Sequence, residues 1–215
     1  MQLTIEEKDM NAVTFAQAVD SVAIDADEIL DDLLYPAGHA VVDGGAEGRP
    51  SGPARRRVLE WDDPVVAAKA GAGLAGLDYM RALELGEIPP PPMAITLNMR
   101  PVEVEHGRAV FEGHPGEEHY NPIGVVHGGY AATLLDSAIG CAVHTTLPAG
   151  VAYTTLTLET KFVRAITRDT GPVRAEAWVA HRGRRQATAE GRLTAVETGK
   201  LLAHATGTCM ILGEA

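Results

Sequence analysis

Residues 121–137 read NPIGVVHGGYAATLLDS, and this stretch opens a segment with few charged side chains. From Gly128 onward nearly every position is small or apolar. This predicts a helix over residues 127–146 that other structure covers on most of its faces. A single carboxylate, Asp136, interrupts the apolar run. The segment therefore predicts a central, largely buried helix that carries one acidic group.

Segments with strand-like alternation of apolar and polar residues flank this helix. They lie at residues 96–105, 107–113, 151–163, 172–181, 184–196 and 200–212. Gly107 predicts the turn between the first two strands, and further short hairpin connections are predicted at Gly171–Pro172, Arg182–Gly183 and Thr198–Gly199. Two strands, one long helix and four antiparallel strands give an α+β fold.

The chain divides into three predicted parts. Residues 1–57 predict an acidic N-terminal helix, at residues 13–34, followed by a flexible linker rich in Gly, Pro and Arg. Residues 58–92 predict a lead-in helix and a Pro-rich connector. Residues 93–215 hold the strands and the central helix.

Local signals support the lead-in part. Asp63 followed by Pro64 is typical of a helix N-cap and first helical position. The pattern predicts a helix most clearly over residues 75–85, and Gly86 with Pro89–Pro92 is expected to end it.

The formal net charge of the chain is −11, and residues 1–36 alone hold nine acidic side chains and one lysine. We expect no nucleic-acid partner, because phosphate binding requires a basic face. No apolar run approaches the ~20 residues that span a bilayer, and the N-terminal residues do not resemble a signal peptide. A cytoplasmic protein is expected, with Cys141 and Cys209 reduced and buried.

The Gly128-Gly129 helix start has two interpretations. The first N–H groups of a helix have no internal partner, so a glycine there could clamp a ligand carbonyl or oxyanion; it could also form a plain tight turn. His127 could act as a base or pin the loop through a hydrogen bond, and the second role is favoured. Asn121 starts a turn and could also offer its amide to a ligand.

Asp136 is equally open to a structural or a functional reading. It lies eight residues after Gly128, which is about 12 Å along one helix and too far for both groups to act on one reacting carbon. If they serve one reaction, two copies of the helix must run antiparallel side by side. The spacing therefore favours, on that condition, a twofold dimer with shared sites.

The run N-P-x-G-x-x-H-G-G-x-x-x-x-L-x-D, from Asn121 to Asp136, resembles the PaaI-like acyl-CoA thioesterases of the hotdog fold. Two later segments, TTLTLETKFVRAI at residues 154–166 and HATGTCMIL at residues 204–212, are similar to that group as well. The resemblance extends over about residues 75–212, and residues 1–60 fall outside it.

The resemblance implies an antiparallel sheet wrapped around one long central helix, in a homodimer or a dimer of dimers. It implies hydrolysis of an acyl-CoA thioester with no metal and no other cofactor, since CoA is part of the substrate. Asp136 would be the nucleophile or general base, and the Gly128 N–H of the other subunit would polarise the carbonyl. Asn121 and His127 would shape the site, assisted by a hydroxyl from Thr155 or, one position earlier, Thr154.

Substrate contacts are expected at the glycine pair, through Gly129, and at basic side chains. The nucleotide end of CoA is anionic, so Arg164 and the arginines of the HRGRR stretch could bind it: Arg182, Arg184 and Arg185. These arginines could equally be exposed charges of a hairpin. The aromatic residues Tyr130, Tyr153 and Trp178 could line an acyl pocket, but core packing is the favoured role of each.

Two other functions fit a hotdog fold, because one fold hosts many activities. One is an enoyl-CoA hydratase, although the HGG arrangement does not match the Asp/His pair of that chemistry. The other is a non-catalytic acyl-CoA-binding regulator, which would not need a carboxylate at position 136.

Overall fold

A computed structural model describes residues 52, 53 and 55–213. The helix expected at residues 13–34 lies outside the described residues, as does most of the expected linker. In the structure the lead-in part extends to residue 96 and contains helices α1 (Pro64–Gly71), α2 (Gly76–Leu85) and α3 (Pro92–Thr96). The main part contains α4 (Gly128–His144) and strands β1 (Met99–Glu105), β2 (Arg108–Gly113), β3 (Ala152–Phe162), β4 (Val173–Arg182), β5 (Gln186–Ala195) and β6 (Leu201–Leu212).

The six strands form one antiparallel sheet in the order β1-β2-β4-β5-β6-β3. Helix α4 packs against the inner face of all six strands. This confirms the predicted α+β hotdog layout, with one long helix held by an antiparallel sheet. None of the described helices is long and apolar enough to cross a membrane.

The connection at Gly171–Pro172 is not the hairpin that the sequence predicted. Strand β3 pairs with β6 at the far edge of the sheet, where Ala152 lies opposite Leu212. The chain then crosses beneath the start of α4, where the N–H of Val126 donates to the carbonyl of Ile166 at 2.8 Å, before it enters β4. The prediction failed because turn residues alone do not show which strands pair across a crossover.

The start of the first strand also differs from the prediction, which placed it at residue 96. Pro92 occupies the first turn of the short helix α3, and Asn98 follows it with φ = 50°, so the strand begins only at Met99. A proline is well tolerated at the first helical position because its missing N–H has no partner there. The last proline of the run therefore begins a helix in place of the predicted strand start.

The lead-in helices confirm their sequence signals. Asp63 caps α1, because its carboxylate accepts a hydrogen bond from the N–H of Val65 at 2.9 Å. Gly86 ends α2 in the left-handed conformation with φ = 75°, which glycine adopts without strain.

The inner face of the sheet is made mainly of very small residues. Helix α4 contributes large side chains that are fully buried: Leu134, Leu135, Ile139 and Val143. Facing them are Ala109, Ala175, Ala177, Ala187, Ala189, Gly191, Ala205 and Gly207. Because these strand positions are small, the sheet backbone can lie close to the helix while the helix supplies the volume of the core.

Gly207 is the tightest of these contacts. A methyl group added there would lie 2.8 Å from Cγ2 of Ile139, inside normal contact distance. We expect Gly207→Ala to lower the free energy of unfolding by about 1–3 kcal/mol, measured by urea denaturation, because the core must shift to accept the extra atom.

The matched control is Gly73→Ala, where the added methyl group meets nothing within 4 Å. It should leave the stability unchanged or raise it by less than about 1 kcal/mol. Equal effects of the two substitutions would show that close packing at Gly207 does not limit the approach of sheet and helix.

Candidate active site

Asp136 lies near the middle of α4, on the face that the sheet leaves open. Its side chain is half-buried and lines a cavity of about 480 Å³ between α4, β3 and the lead-in helices α2 and α3. The hydroxyl of Thr155, on β3, donates a hydrogen bond to Oδ1 of Asp136 at 3.0 Å. In the described part of the chain Asp136 forms no ion pair. Its environment therefore consists of one hydroxyl donor and an otherwise mainly apolar cavity.

The structure separates the two threonines that the sequence left as alternatives. Thr155 faces inward and contacts Asp136, whereas Thr154 is exposed on the outer face of β3. Successive side chains of a strand point to opposite faces of the sheet, so only one of the two can reach the carboxylate.

Two thiols also lie close to the carboxylate. Cys141 lines the same cavity one turn beyond Ser137, and Cys209 lies opposite Thr155 on β6. Burial raises the pKa of the Cys141 thiol to about 12 and also raises the pKa of Cys209. Both are therefore protonated thiols near neutral pH, and a thiolate nucleophile is not supplied at this position.

His127 occupies the N-cap position of α4. Its Nδ1 accepts a hydrogen bond from the N–H of Gly129 at 2.8 Å, so Nδ1 carries no proton. This contact corresponds to the loop-pinning role that the sequence favoured for His127. The hydrogen bond to His127 uses the Gly129 N–H. The Gly128 N–H makes no hydrogen bond within the described part of the chain.

Gly128 lines a second cavity, of about 330 Å³, at the N-terminal end of α4. Phe162 and Arg164, from the end of β3 and the segment after it, form the opposite wall. Asp136 does not line this cavity. Within one protomer the free N–H and the carboxylate thus face different cavities, about 12 Å apart along the helix.

Asn121 holds the turn that leads into α4. Its Oδ1 accepts hydrogen bonds from the N–H groups of Ile123 at 3.1 Å and Val125 at 3.3 Å. The turn is completed by Gly124 with φ = 82°. The side-chain oxygen is therefore used internally, and the amide NH₂ is the group that a ligand could contact.

The arginines predicted to bind CoA lie at opposite ends of the sheet. Arg164 follows the end of β3, beside Gly128, and also donates to the carbonyl of Leu201 at 2.6 Å. Arg182, Arg184 and Arg185 are exposed at the β4–β5 hairpin, at the same end of the sheet as the start of β3 but with β6 between them. With ten or eleven residues in each strand, the two groups are about 30 Å apart in one protomer.

The three aromatic residues considered for an acyl pocket have three different positions. Tyr153 lines the large cavity, Tyr130 is buried in the core, and Trp178 lies on the outer face with the Arg192 guanidinium 5.8 Å from its ring. Only Tyr153 can contact a ligand beside Asp136.

The lead-in segment contributes more to the cavity than the sequence suggested. It supplies nine lining residues: Leu83, Glu84, Leu85, Gly86, Ile88, Pro90, Pro91, Met93 and Ala94. We interpreted these prolines as a connector because they interrupt helix periodicity. The apolar residues on either side of the proline run, Ile88 and Met93, are the signal that could have indicated a buried wall.

Comparison with known proteins gives one family. The sequence profile of the thioesterase superfamily matches residues 123–202, which include α4 and β3. No curated protein sequence matches the chain.

Among residues 55–213, no three His, Cys, Asp or Glu side chains lie close enough together to hold a metal ion.

Solved structures are also similar. A phenylacetic acid degradation-related protein of Ralstonia eutropha is 33% identical, with 61% of this chain and 98% of that chain covered and a TM-score of 0.56. A single-residue variant of PaaI from Thermus thermophilus is 29% identical, with 55% and 97% covered and a TM-score of 0.50. The PaaI protein of E. coli shares the fold at 21% identity, with 66% and 98% covered and a TM-score of 0.56.

Proposed function

Because the chain belongs to the PaaI-like hotdog thioesterases of the thioesterase superfamily, we propose that it hydrolyses an acyl-CoA thioester to a free acid and CoA. The observation that carries the proposal is the hydrogen bond from Thr155 to Asp136 at the wall of a cavity large enough for an acyl group. This contact fixes the orientation of the carboxylate and leaves its second oxygen available for chemistry.

Asp136 acts as the general base in this proposal. It removes a proton from a water molecule while the water oxygen bonds to the thioester carbonyl carbon, and the C=O electron pair moves to oxygen. Collapse of the tetrahedral oxyanion breaks the C–S bond, and the leaving CoA thiolate takes the proton held by Asp136. Direct attack by Asp136, through an anhydride that water then cleaves, uses the same groups and is the alternative route.

The oxyanion requires a hydrogen-bond donor, and the Gly128 N–H of the partner protomer supplies it. Among the described residues this N–H has no hydrogen-bond acceptor, and it lies at the positive end of the helix dipole. Gly128 and Asp136 of one protomer face different cavities, which supports a site formed between two copies rather than within one.

The edge strand β3 provides the surface through which two copies join. It is eleven residues long, contains no proline, and exposes Leu156 (45%) and Phe162 (59%). A long edge strand without proline offers a row of unpaired backbone N–H and C=O groups, which is a template for strand pairing. Antiparallel pairing of two β3 strands makes a twofold dimer and brings the start of each strand to the end of its partner.

The same pairing accounts for the separated arginines. Arg184 and Arg185 lie at the sheet end where β3 starts, and Arg164 follows the end of β3, so the twofold axis brings the two groups toward each other from different protomers. Together they form a basic surface for the phosphates of CoA at the entrance to the site.

Substitution of Asp136 tests the proposal. We expect Asp136→Asn and Asp136→Ala to reduce kcat/KM for release of free thiol from a panel of acyl-CoAs by 100-fold or more, about 3 kcal/mol in the activation barrier. Thr155→Val should give a smaller loss, because the carboxylate remains but loses its oriented contact.

Asp169→Asn serves as the control. It should leave turnover unchanged, because the Asp169 side chain is 90% exposed to solvent. Less than a threefold loss in Asp136→Ala would remove the catalytic role of the carboxylate. If the wild type releases no thiol from any acyl-CoA, the binding or hydratase functions replace hydrolysis.

Substitution of Gly128 tests the clamp separately. Gly128→Pro removes the N–H while keeping a residue suited to the first helical position, so we expect kcat to fall by about 100- to 1,000-fold. Gly128→Ala adds the same Cβ, which meets the Phe162 ring at 3.1 Å, but keeps the N–H.

Gly128→Ala should therefore retain activity within a few-fold of wild type, with both variants checked by circular dichroism for an intact helix. Equal losses in Gly128→Ala and Gly128→Pro would show that space, and not the N–H donor, matters at this position.

A further inference from the structure

The end of the large cavity that lies away from Asp136 is built almost entirely from hydrocarbon. The lead-in segment lines it with apolar side chains: Leu83, Leu85, Ile88, Pro90, Pro91, Met93 and Ala94. Apart from Asp136, the charged residues in the lining are Glu84, which is partly exposed, and Arg100, which is exposed. A ligand group that enters this end therefore meets a surface with little to offer a polar atom.

The backbone of this wall is also poor in donors. Pro90 and Pro91 have no N–H, so neither their side chains nor their main chain can donate a hydrogen bond to a ligand. A hydroxyl placed against this wall gives up hydrogen bonds to water and finds no N–H donor on either proline, whereas a methylene group gains by leaving water. The wall thus favours a hydrocarbon tail over the same tail with a hydroxyl at its end.

The polar groups of the cavity are concentrated at its other end. Asp136, Ser137 and Thr155 lie together there, and Tyr153 and Cys141 are beside them. This is where a thioester carbonyl and an attacking water are needed. The cavity is therefore polarised, with the chemistry at one end and an apolar tail site at the other.

The cavity is also much larger than a short acyl group requires. One water-sized group needs only about 10–15 Å³ of such space, so 480 Å³ has room for many times the three heavy atoms of an acetyl group. An acetyl group would leave most of this space without contacts, and each added methylene would bury further apolar surface against the wall.

We infer that this enzyme is specific for acyl-CoAs with unsubstituted medium-length hydrocarbon tails, and that the Pro-rich lead-in segment sets this specificity. The inference rests on the proposed function, since it assigns the substrate class of the same site. It makes Met93 a specificity-determining residue, because its side chain is 55% exposed at the edge of the wall and can be changed without disturbing the core.

The experiment measures kcat/KM for straight-chain acyl-CoAs from two to twelve carbons, and for the counterpart of the best chain that carries a terminal hydroxyl. We expect the best chain to exceed acetyl-CoA by at least 100-fold and its hydroxylated counterpart by at least tenfold. Comparable values for the hydroxylated chain, or a preference for acetyl-CoA, would overturn the inference while leaving thioester hydrolysis established.

The variant Met93→Gln places an amide of similar size at the wall and should reduce the preference for the plain chain over the hydroxylated chain by fivefold or more. Val66→Gln, on the exposed side of α1 and outside the cavity lining, is the matched control and should not change the ratio. An unchanged ratio in Met93→Gln would remove Met93 from the specificity wall.

Binding separates this inference from the proposed function. If no acyl-CoA is hydrolysed, calorimetry with octyl-CoA and 8-hydroxyoctyl-CoA, which are thioethers and cannot be cleaved, still measures the tail preference. Tighter binding of octyl-CoA by tenfold or more would support the apolar tail site; equal binding would reject it.

Discussion

The close approach of the sheet to helix α4 is the constraint on which the other features depend. Alanine and glycine at the inward positions of the strands let the backbone lie against Leu135 and Ile139, which fill the core from the helix side. The sheet can therefore cover most of the helix, but not all of it. The uncovered face carries Asp136, and the lead-in helices close over it at a distance that leaves a cavity.

The topology then separates the two chemical groups of the site. Asp136 lies midway along α4 beside the start of β3, and Gly128 lies at the helix start beside the end of β3. A single copy of the fold cannot bring them together, because a rigid helix keeps them about 12 Å apart. In the dimer proposed above, a twofold axis across the β3 edge joins them and also combines the two groups of arginines.

The central helix, the six strands and the N-cap at Asp63 could be predicted from the sequence, because each depends on local periodicity or on a capping residue. The pairing of β3 with β6 could not be predicted, because the sequence of a strand does not show which other strand it pairs with. That the Thr155 side chain faces inward became clear only from the register of β3. The role of the prolines was missed for a related reason: Pro90 and Pro91 signal only where regular structure stops, and their contacts with the cavity depend on how α2 packs on α4.

A mixed dimer tests most directly whether each site is formed by two protomers. Asp136→Asn and Gly128→Pro are each expected to inactivate the homodimer, but a dimer with one copy of each contains one site with both native groups. Random exchange of equal amounts should therefore restore about a quarter of wild-type activity, because half of the dimers are mixed and each has one of two sites intact. No recovery after verified exchange would contradict the account, since it would mean that Asp136 and Gly128 act within one protomer or not at all.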